Sequence, residues 1–416
     1  MRELKDSGIE WIGEIPEDWE TRRLKNVLKE RKENNEPIKT DNILSLTNDR
    51  GVILYSEKGN IGNKAKEDLR GYKIAYKDDI VMNSMNVVIG SVGLSPYYGC
   101  VSPVYYMLYT NIFDIKYYNY IFQSKVFQNE LKGLGNGILE IRMRIPMEKL
   151  NDVILPIPPI PEQQKIAQFL DNKVATIDNI IDKTKETIED YKKYKQSLIT
   201  EVVTKGLDKN AEMKDSGVEW IGKIPKSWGV IRGKYCLQYL QKPINENDGV
   251  ITCFRDGEVT LRSKRREEGF TISDKEIGYQ GIDIGDLVVH SMDGFAGAIG
   301  ISDSRGKASP VLNVLNTKQN KRYIMYYLRS MAYSDVFIAL ATGIRIRSCD
   351  LRWNKLSELF YIVPPKNEQD MIATYIDNKL KAINNVIIKQ QQQLKILEQY
   401  KKSIIYEYVT GKKEVK

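Results

Sequence analysis

Lys5-Asp6-Ser7-Gly8-Ile9-Glu10-Trp11-Ile12-Gly13-Glu14-Ile15-Pro16-Glu17-Asp18-Trp19 stands near the start of the chain. Lys214-Asp215-Ser216-Gly217-Val218-Glu219-Trp220-Ile221-Gly222-Lys223-Ile224-Pro225-Lys226-Ser227-Trp228 repeats it at an offset of 209, with 11 of 15 positions identical. Further along, Pro158-Pro159-Ile160-Pro161-Glu162-Gln163-Gln164-Lys165-Ile166-Ala167 recurs at an offset of 206 as Pro364-Pro365-Lys366-Asn367-Glu368-Gln369-Asp370-Met371-Ile372-Ala373, and Asp171-Asn172-Lys173 as Asp377-Asn378-Lys379. Two matches in the same order at nearly one offset mark an internal duplication. Between them the halves diverge, although Gly71-Tyr72 answers Gly278-Tyr279 and Ser84-Met85 answers Ser291-Met292. Gly90 and Gly93 likewise answer Gly297 and Gly300, and Ser102-Pro103 answers Ser309-Pro310. A near-identical frame around a divergent interior predicts two homologous modules of one fold with different ligands. The alternative is an old duplication that drifted neutrally.

The interiors, roughly 20–155 and 230–360, read as α+β. Short apolar runs such as Ile74-Ala75-Tyr76, Asp79-Ile80-Val81-Met82 and Asp286-Leu287-Val288-Val289, bounded by Gly, Asn and Asp, predict strands. Tyr117 to Leu131 and Arg322 to Leu340 have helical spacing, one helix in each module. After the first Pro-Pro pair, Pro161 and Glu162 suit a first helical turn, and no glycine or proline follows until Gly206. Val174, Ile177, Ile181, Thr184, Ile188, Tyr191, Lys195, Leu198 and Val202 alternate in steps of three and four, a heptad seam. Adding 206 gives Leu380, Ile383, Ile387, Gln390, Leu394, Leu397, Lys401, Ile404 and Tyr408. Both seams carry a polar residue at the fourth place, Thr184 and Gln390, and lysine at the seventh, Lys195 and Lys401. The match predicts that the two helices pair with each other and that these four residues fix the register. Each helix spans ~40 residues, or ~60 Å. The expected architecture is two pseudo-repeated globular α+β domains separated by two long helices in an antiparallel coiled coil, pseudo-two-fold symmetric. The alternative has each helix packing on its own module.

The totals narrow the function. Lys and Arg number 63 against 55 Asp and Glu, a net charge of +8 that is compatible with a polyanionic partner. Cys100, Cys236, Cys253 and Cys349 are scattered with no C-x-x-C pair, which reads as reduced thiols and neither disulfides nor a zinc site. The single histidine, His290, removes most histidine-based catalysis and metal binding. It stands where the first module has Asn83, which favours a surface or DNA-facing polar side chain. The start of the chain has no apolar stretch of signal-peptide length and no segment approaches a membrane span, so a cytoplasmic protein is expected. The Pro-Pro pairs follow Ile157 and Val363, so they do not form the [Asn/Asp]-Pro-Pro-[Tyr/Phe] loop of an adenine methyltransferase, and no phosphate-binding G-x-x-x-x-G-K-[S/T] loop appears. No catalytic residue, metal or cofactor is expected. Trp11, Trp19, Trp220 and Trp228 recur with the frame and read as packing residues.

The doubled Lys-Asp-Ser-Gly-x-Glu-Trp-Ile-Gly-x-Ile-Pro opening and the doubled Pro-Pro-x-x-x-Glu-Gln helix start resemble the specificity subunit of type I restriction-modification systems over essentially the whole chain. The resemblance implies target-recognition domains at 1–157 and 213–363, alternating with conserved helical regions at 158–212 and 364–416. It implies that each domain reads one half of an asymmetric bipartite site in double-stranded DNA. The helical pair would set the gap and dock two methyltransferase subunits, restriction subunits would join in the full complex, and the specificity subunit itself would do no chemistry. The second helix start departs from the first: Asn367 replaces Pro161 and Asp370 replaces Gln164, and Asn367 is expected to serve as an N-cap. A rival reading from another class is a protein-binding scaffold with duplicated domains and a coiled coil.

Reading DNA needs cations on phosphates and Arg, Lys, Asn or Gln at base edges. Arg262-Ser263-Lys264-Arg265-Arg266 is the densest basic cluster of the second module, either a loop reaching DNA or a solvated basic turn. Lys58, Lys64, Lys66 and Arg70 fall in a comparable loop of the first. Gly137-Ile138, followed by Arg142 and Arg144, answers Gly343-Ile344, followed by Arg345, Arg347 and Arg352. The resemblance assigns these arginines to phosphates or nearby bases; a basic loop at the module edge is the alternative.

Overall fold

The computed structural model describes residues 2–59, 64–135, 144–265, 276–340 and 351–415. It divides into two compact units, Met1–Lys185 with Gln392–Lys416, and Glu186–Gln391. Each unit therefore contains the start of one long helix and the end of the other.

In the first unit, Lys29–Arg31, Tyr105–Tyr109, Ile80–Asn83 and Val92–Leu94 form a four-stranded antiparallel sheet in that spatial order. Met107 lies opposite Val81 and Leu108 opposite Ile80. Successive strand residues face opposite sides, and both sides are covered. Ile80 and Met82 join the core that includes Tyr117, Ile121, Phe122 and Phe127, while Val81 and Met107 pack with Leu44, Leu46 and Val52 of the hairpin Leu44–Thr47/Gly51–Leu54. This is why the strands read as unbroken apolar runs.

The second unit is built in the same order. Its sheet runs Leu237–Leu240, Leu312–Thr317, Leu287–His290, Ile299–Ile301, with Val314 opposite Val288. The hairpin Ile251–Cys253/Val259–Leu261 packs Ile251, Cys253 and Val259 against Val288 and Val314. Two differences from the sequence expectation concern helices. In place of one helix over 117–131 there are two, Ile115–Gln123 and Lys125–Lys132, because Ser124 between them is extended at ψ 125°. The helix expected over 322–340 ends at Tyr333, and Asp335, left-handed at φ 56°, precedes a further turn, Val336–Ala339.

The repeated opening motif folds into matching turns. Asp6 accepts from the Gly8 N–H and Ser7 Oγ from Ile9, as Asp215 accepts from Gly217 and Ser216 Oγ from Val218. Trp19 and Trp228 lie buried in their units.

The long helices span Ile160–Lys205 and Lys366–Val409. Each stops at a glycine, Gly206 at φ 80° and Gly411 at φ 71°, the left-handed closure that glycine adopts without a Cβ penalty. A Cβ on Gly411 would lie 2.4 Å from Pro16 Cδ and 3.0 Å from Trp19, and one on Gly206 would lie 3.1 Å from Trp228. Asn367 is not the cap of the second helix: the helix already includes Lys366, and Gln369 N–H donates to Pro365 O, so the first turn begins two residues earlier.

Along both helices the seam positions are the covered ones. Ile177, Ile181, Thr184, Ile188, Leu198 and Val202, then Leu380, Ile383, Ile387 and Ile404, are buried, and most neighbouring positions are exposed. In the first unit Lys401 Nζ donates to both oxygens of Asp178 at 2.7 Å, and Phe169 meets Tyr408 at 4.4 Å between ring centroids, so these two stretches run antiparallel. In the second unit Lys195 Nζ donates to Asn384 Oδ1 at 2.6 Å. Asp178 and Asn384 are themselves 206 apart, like the two lysines. Burial lowers the Lys195 pKa, and Arg329 adds to the effect. Thr184 donates to Ile180 O of its own helix, and Gln390 is half-buried in the seam.

The helix starts are held by the Glu-Gln pair of the second repeated motif. Gln163, fully buried, donates from Nε2 to Pro158 O at 2.8 Å and accepts the Asp114 N–H at 3.0 Å; Asp114 in turn caps the helix Ile115–Gln123. Gln369, also fully buried, does the same with Pro364 O and the N–H of Asn320, the cap of Lys321–Tyr333. The neighbouring glutamates accept from tryptophan: Trp19 Nε1 to Glu162 at 3.0 Å and Trp228 Nε1 to Glu368 at 2.9 Å. Arg2 adds a second partner to Glu162.

Replacing Gln163 by Leu keeps the volume but leaves a buried carbonyl and a buried N–H unpaired, a cost of about 2–4 kcal/mol. Chemical denaturation of Gln163→Leu and Gln369→Leu should each show a loss of that size. Gly411→Ala should also destabilise, by more than the ~1 kcal/mol of the backbone term alone, because its Cβ meets Pro16.

Candidate nucleic-acid interface

A cleft opens in each unit between the hairpin and the loop that follows the third strand of the sheet. In the first unit it measures about 890 Å³ and is lined by Asn48, Asp49, Arg50, Lys58, Lys64, Asn83 and Asn86, among others. In the second it measures about 740 Å³, with Arg255, Asp256, Arg262, Arg265, His290 and Asp293 on its walls. The linings correspond at an offset of 207: Asn48 with Arg255, Asp49 with Asp256, Lys58 with Arg265, Asn83 with His290, and Asn86 with Asp293.

Backbone contact sets the shape of the clefts. A Cβ on Gly93 would lie 3.2 Å from Gly51 Cα, and one on Gly300 only 2.0 Å from Gly257 O. The hairpin thus rests main chain to main chain on the edge strand. Past that strand's partner, a short 3-10 turn (Val87–Ile89 in one unit, Gly294–Ala296 in the other) closes the loop.

The floor side chains are tied into these loops. Asn83, 9% exposed, accepts the Met85 N–H on Oδ1 at 3.0 Å. His290 accepts two N–H groups on Nδ1, from Met292 at 3.2 Å and Asp293 at 3.1 Å. Burial pushes the His290 pKa down, Asp293 opposes this and Arg255 reinforces it.

The basic residues singled out in the sequence fall in different places. Lys58 closes the turn Tyr55–Glu57 with its Nζ 5.3 Å from the Tyr55 ring centre, and Lys64 lines the same cleft. Lys66 and Arg70 are exposed beyond it. Arg70 grips Asp68 through two bonds of 2.9 and 3.0 Å, and this pulls the Asp68 carboxyl down to about 2. In the second unit Arg262 Nε donates to Thr252 Oγ1 at 3.0 Å, and Arg265 clamps Asp256 at 2.7 Å and Glu258 at 2.6 Å while lying over the Phe254 ring. Lys264 reaches Ser304 at 2.7 Å. Arg144 is exposed in a separate depression beside Lys73 and Glu30, and exposed Arg352 precedes the helical turn Trp353–Leu356. Arg142, Arg266, Arg345, Arg347 and Cys349 lie outside the described residues, as do Gly137-Ile138 and Gly343-Ile344.

The clefts bring together Lys58 with Lys64, and Arg262 with Arg265. Sequence reasoning passed over Arg50, Arg255 and the Asp49/Asp256 pair. The signal was available: carrying the 207 offset of Gly71/Gly278 back another 22 residues aligns Asp49 with Asp256. Cys100, Cys236 and Cys253 are buried free thiols, and burial pushes the latter two up to about 12. Among the described residues no helix is long and apolar enough to cross a membrane.

Residues 16–190 match the family model for the type I restriction modification DNA specificity domain. Over 97% of its length the chain is 24% identical to the putative type I restriction enzyme MjaX specificity subunit of Methanocaldococcus jannaschii, covering 96% of that protein. It is 25% identical to the MjaVIII specificity subunit of the same organism over 53% of this chain and 49% of that one. The fold is that of a chain solved in work on complex assembly and conformational transition of the type I R-M system (TM-score 0.70, 13% identity, covering 95% of this chain and 99% of that one). The HsdS subunit from Thermoanaerobacter tengcongensis superposes with TM-score 0.50 at 14% identity, covering 95% and 98%. The chain thus combines an α+β fold with a segment that matches a DNA specificity domain. Over nearly its whole length the chain is similar to a specificity subunit of type I restriction enzymes.

A histidine held neutral in the folded chain ties stability to higher pH. The contribution is complete above the free imidazole value of about 6.5 and fades below it, where the unfolded chain takes up a proton that the folded ring resists. Asp293, Asp256, Arg255, Arg262 and Arg265 are the charged groups around this cleft. Melting temperature followed from pH 7.5 to 5.5 should fall less steeply for His290→Asn than for the parent chain.

Proposed function

We propose that each unit carries one target-recognition domain, 1–157 and 213–363, that each domain reads one half of an asymmetric bipartite site in double-stranded DNA, and that the chain is non-catalytic. The regions 158–212 and 364–416 form an antiparallel coiled coil with pseudo-two-fold symmetry. It fixes the gap between half-sites and docks two methyltransferase subunits, with restriction subunits joining in the full complex. The observation that carries this reading is the contrast within the repeat. The Glu-Gln helix starts, the tryptophans and the glycine stops are duplicated, whereas the clefts keep their shape and change their lining. Such a pattern suits one scaffold presenting two different surfaces. Register along the pair is assigned to Lys195 and Lys401, which bond to Asn384 and Asp178, with Thr184 and Gln390 at the matching polar step.

Contact with DNA is assigned to Lys58, Lys64, Lys66, Arg70 and Arg144 in the first domain and to Arg262, Lys264, Arg265 and Arg352 in the second. Arg142, Arg266, Arg345 and Arg347 are assigned to the same role from sequence. Half-site centres about one helical turn apart, ~34 Å, place both domains on one side of the duplex.

The test is a methylome comparison of the host with and without this gene, in which a single split adenine motif should disappear. An unchanged methylome overturns the reading. A second measurement is the affinity of the chain with its methyltransferase partner for random duplex across salt. Affinity should fall steeply, and Lys64→Ala should lower the log–log slope by about 1 if it meets one phosphate. An affinity that does not change with salt would favour a protein-binding scaffold instead.

A further inference from the structure

We propose that the shared floor position of the two clefts, Asn83 in one unit and His290 in the other, is a specificity-determining position at which each side chain presents a hydrogen-bond donor to the edge of one base. The inference rests on the DNA-reading function above and names where within each domain a base is read.

The argument starts from what each side chain has already committed. Asn83 uses its oxygen to accept the Met85 N–H. Its amide nitrogen, a donor only, is what remains for the cleft that it lines. His290 uses Nδ1 to accept from Met292 and Asp293, and an accepting Nδ1 in a neutral ring places the proton on Nε2. No partner engages Nε2 among the described residues, and the depressed pKa keeps the ring in this form. Two chemically different side chains are thus fixed through the same local turn and offer the cleft the same polarity. Asn83 is only 9% exposed and is held by its bond to the turn, so its amide is oriented before a base edge arrives.

A donor selects an acceptor. In the major groove guanine offers N7 and O6, adenine N7 and thymine O4, whereas cytosine offers the N4 donor. Each floor position therefore rejects cytosine, and the different reach of an imidazole and a carboxamide accounts for two half-sites of different sequence. The neighbouring positions change with it: Arg255 and Asp293, paired at 2.9 Å, stand where the first unit has Asn48 and Asn86 respectively.

Asn83→Asp is the sharpest probe. It preserves the size of the side chain and the oxygen that accepts from Met85, but turns the remaining polar atom from donor to acceptor. The complex with the methyltransferase partner would be given a duplex library with both half-sites randomised, and methylated products sequenced. At one base of one half-site, Asn83→Asp should shift preference toward cytosine by about tenfold or more, leaving the other half-site unchanged. His290→Asn should change the other half-site only. If Asn83→Asp melts early, His290→Asn, which keeps acceptor and donor but changes their reach, still tests in the second domain whether the floor side chain sets the base preference. Motifs unchanged in the variants, or a uniform loss across all bases, overturn the assignment while leaving the function intact. A parent complex with no preferred motif overturns both.

Discussion

The frame of each unit is referred to a Glu-Gln pair at the start of a long helix, its glutamine fully buried. A helix start must satisfy its free N–H groups, and a strand that ends on two prolines leaves carbonyls facing the interior. Gln163 and Gln369 resolve both problems with one side chain. Each bonds the Pro-Pro carbonyl behind it and the N–H of the residue that caps another helix in the same unit. The glutamates beside them accept from Trp19 and Trp228, and the same tryptophans pack on Gly411 and Gly206, where the long helices end. One aromatic ring in each unit thus fixes the beginning of one helix and the end of the other. Because these bonds are directional and the glutamines buried, the direction of each helix start is set within its own unit by chemistry.

That frame was legible in the sequence because it is repeated and because its residue types have few other uses. Proline pairs, tryptophans and a heptad running from Val174 to Val202 each carry a strong local meaning, and the second copy repeats the first. The helices after the sheet were harder. Apolar spacing from Tyr117 to Leu131 is continuous, and the break at Ser124 is one extended residue that periodicity does not register. The same applies to Asp335. Asn367 was misread because asparagine is a good cap, whereas the Pro365 carbonyl had already begun the helix.

The clefts were only half legible. Basic residues can be counted from sequence, but whether a cation faces a ligand or an internal carboxylate depends on pairs that lie nearby only after folding. Arg262 and Arg265 were chosen for their density, and each proves to be bonded within its unit. An arginine held by Asp256 and Glu258 is a positioned group, since its fork is already oriented before any ligand arrives, and reorienting it costs the bonds it has. Exposed Lys64 is held by no carboxylate among the described residues.

The unequal divergence of frame and interior follows from where the atoms in contact belong. The hairpin meets the sheet through the main chain of Gly51 and Gly93 in one unit and of Gly257 and Gly300 in the other, and through apolar side chains such as Leu44, Leu46, Ile251 and Cys253, so the polar side chains of the cleft are not what holds it open. Asn83 and His290 are retained by a bond to the turn that either an amide oxygen or an imidazole nitrogen can accept. A position whose structural duty can be met by several residue types is free to change its outward chemistry. Substitution at Gln163 or Trp19 would instead disturb the path of a long helix. A chain built on this repeat is therefore expected to concentrate its variation at the cleft floors and to keep the helix starts unchanged.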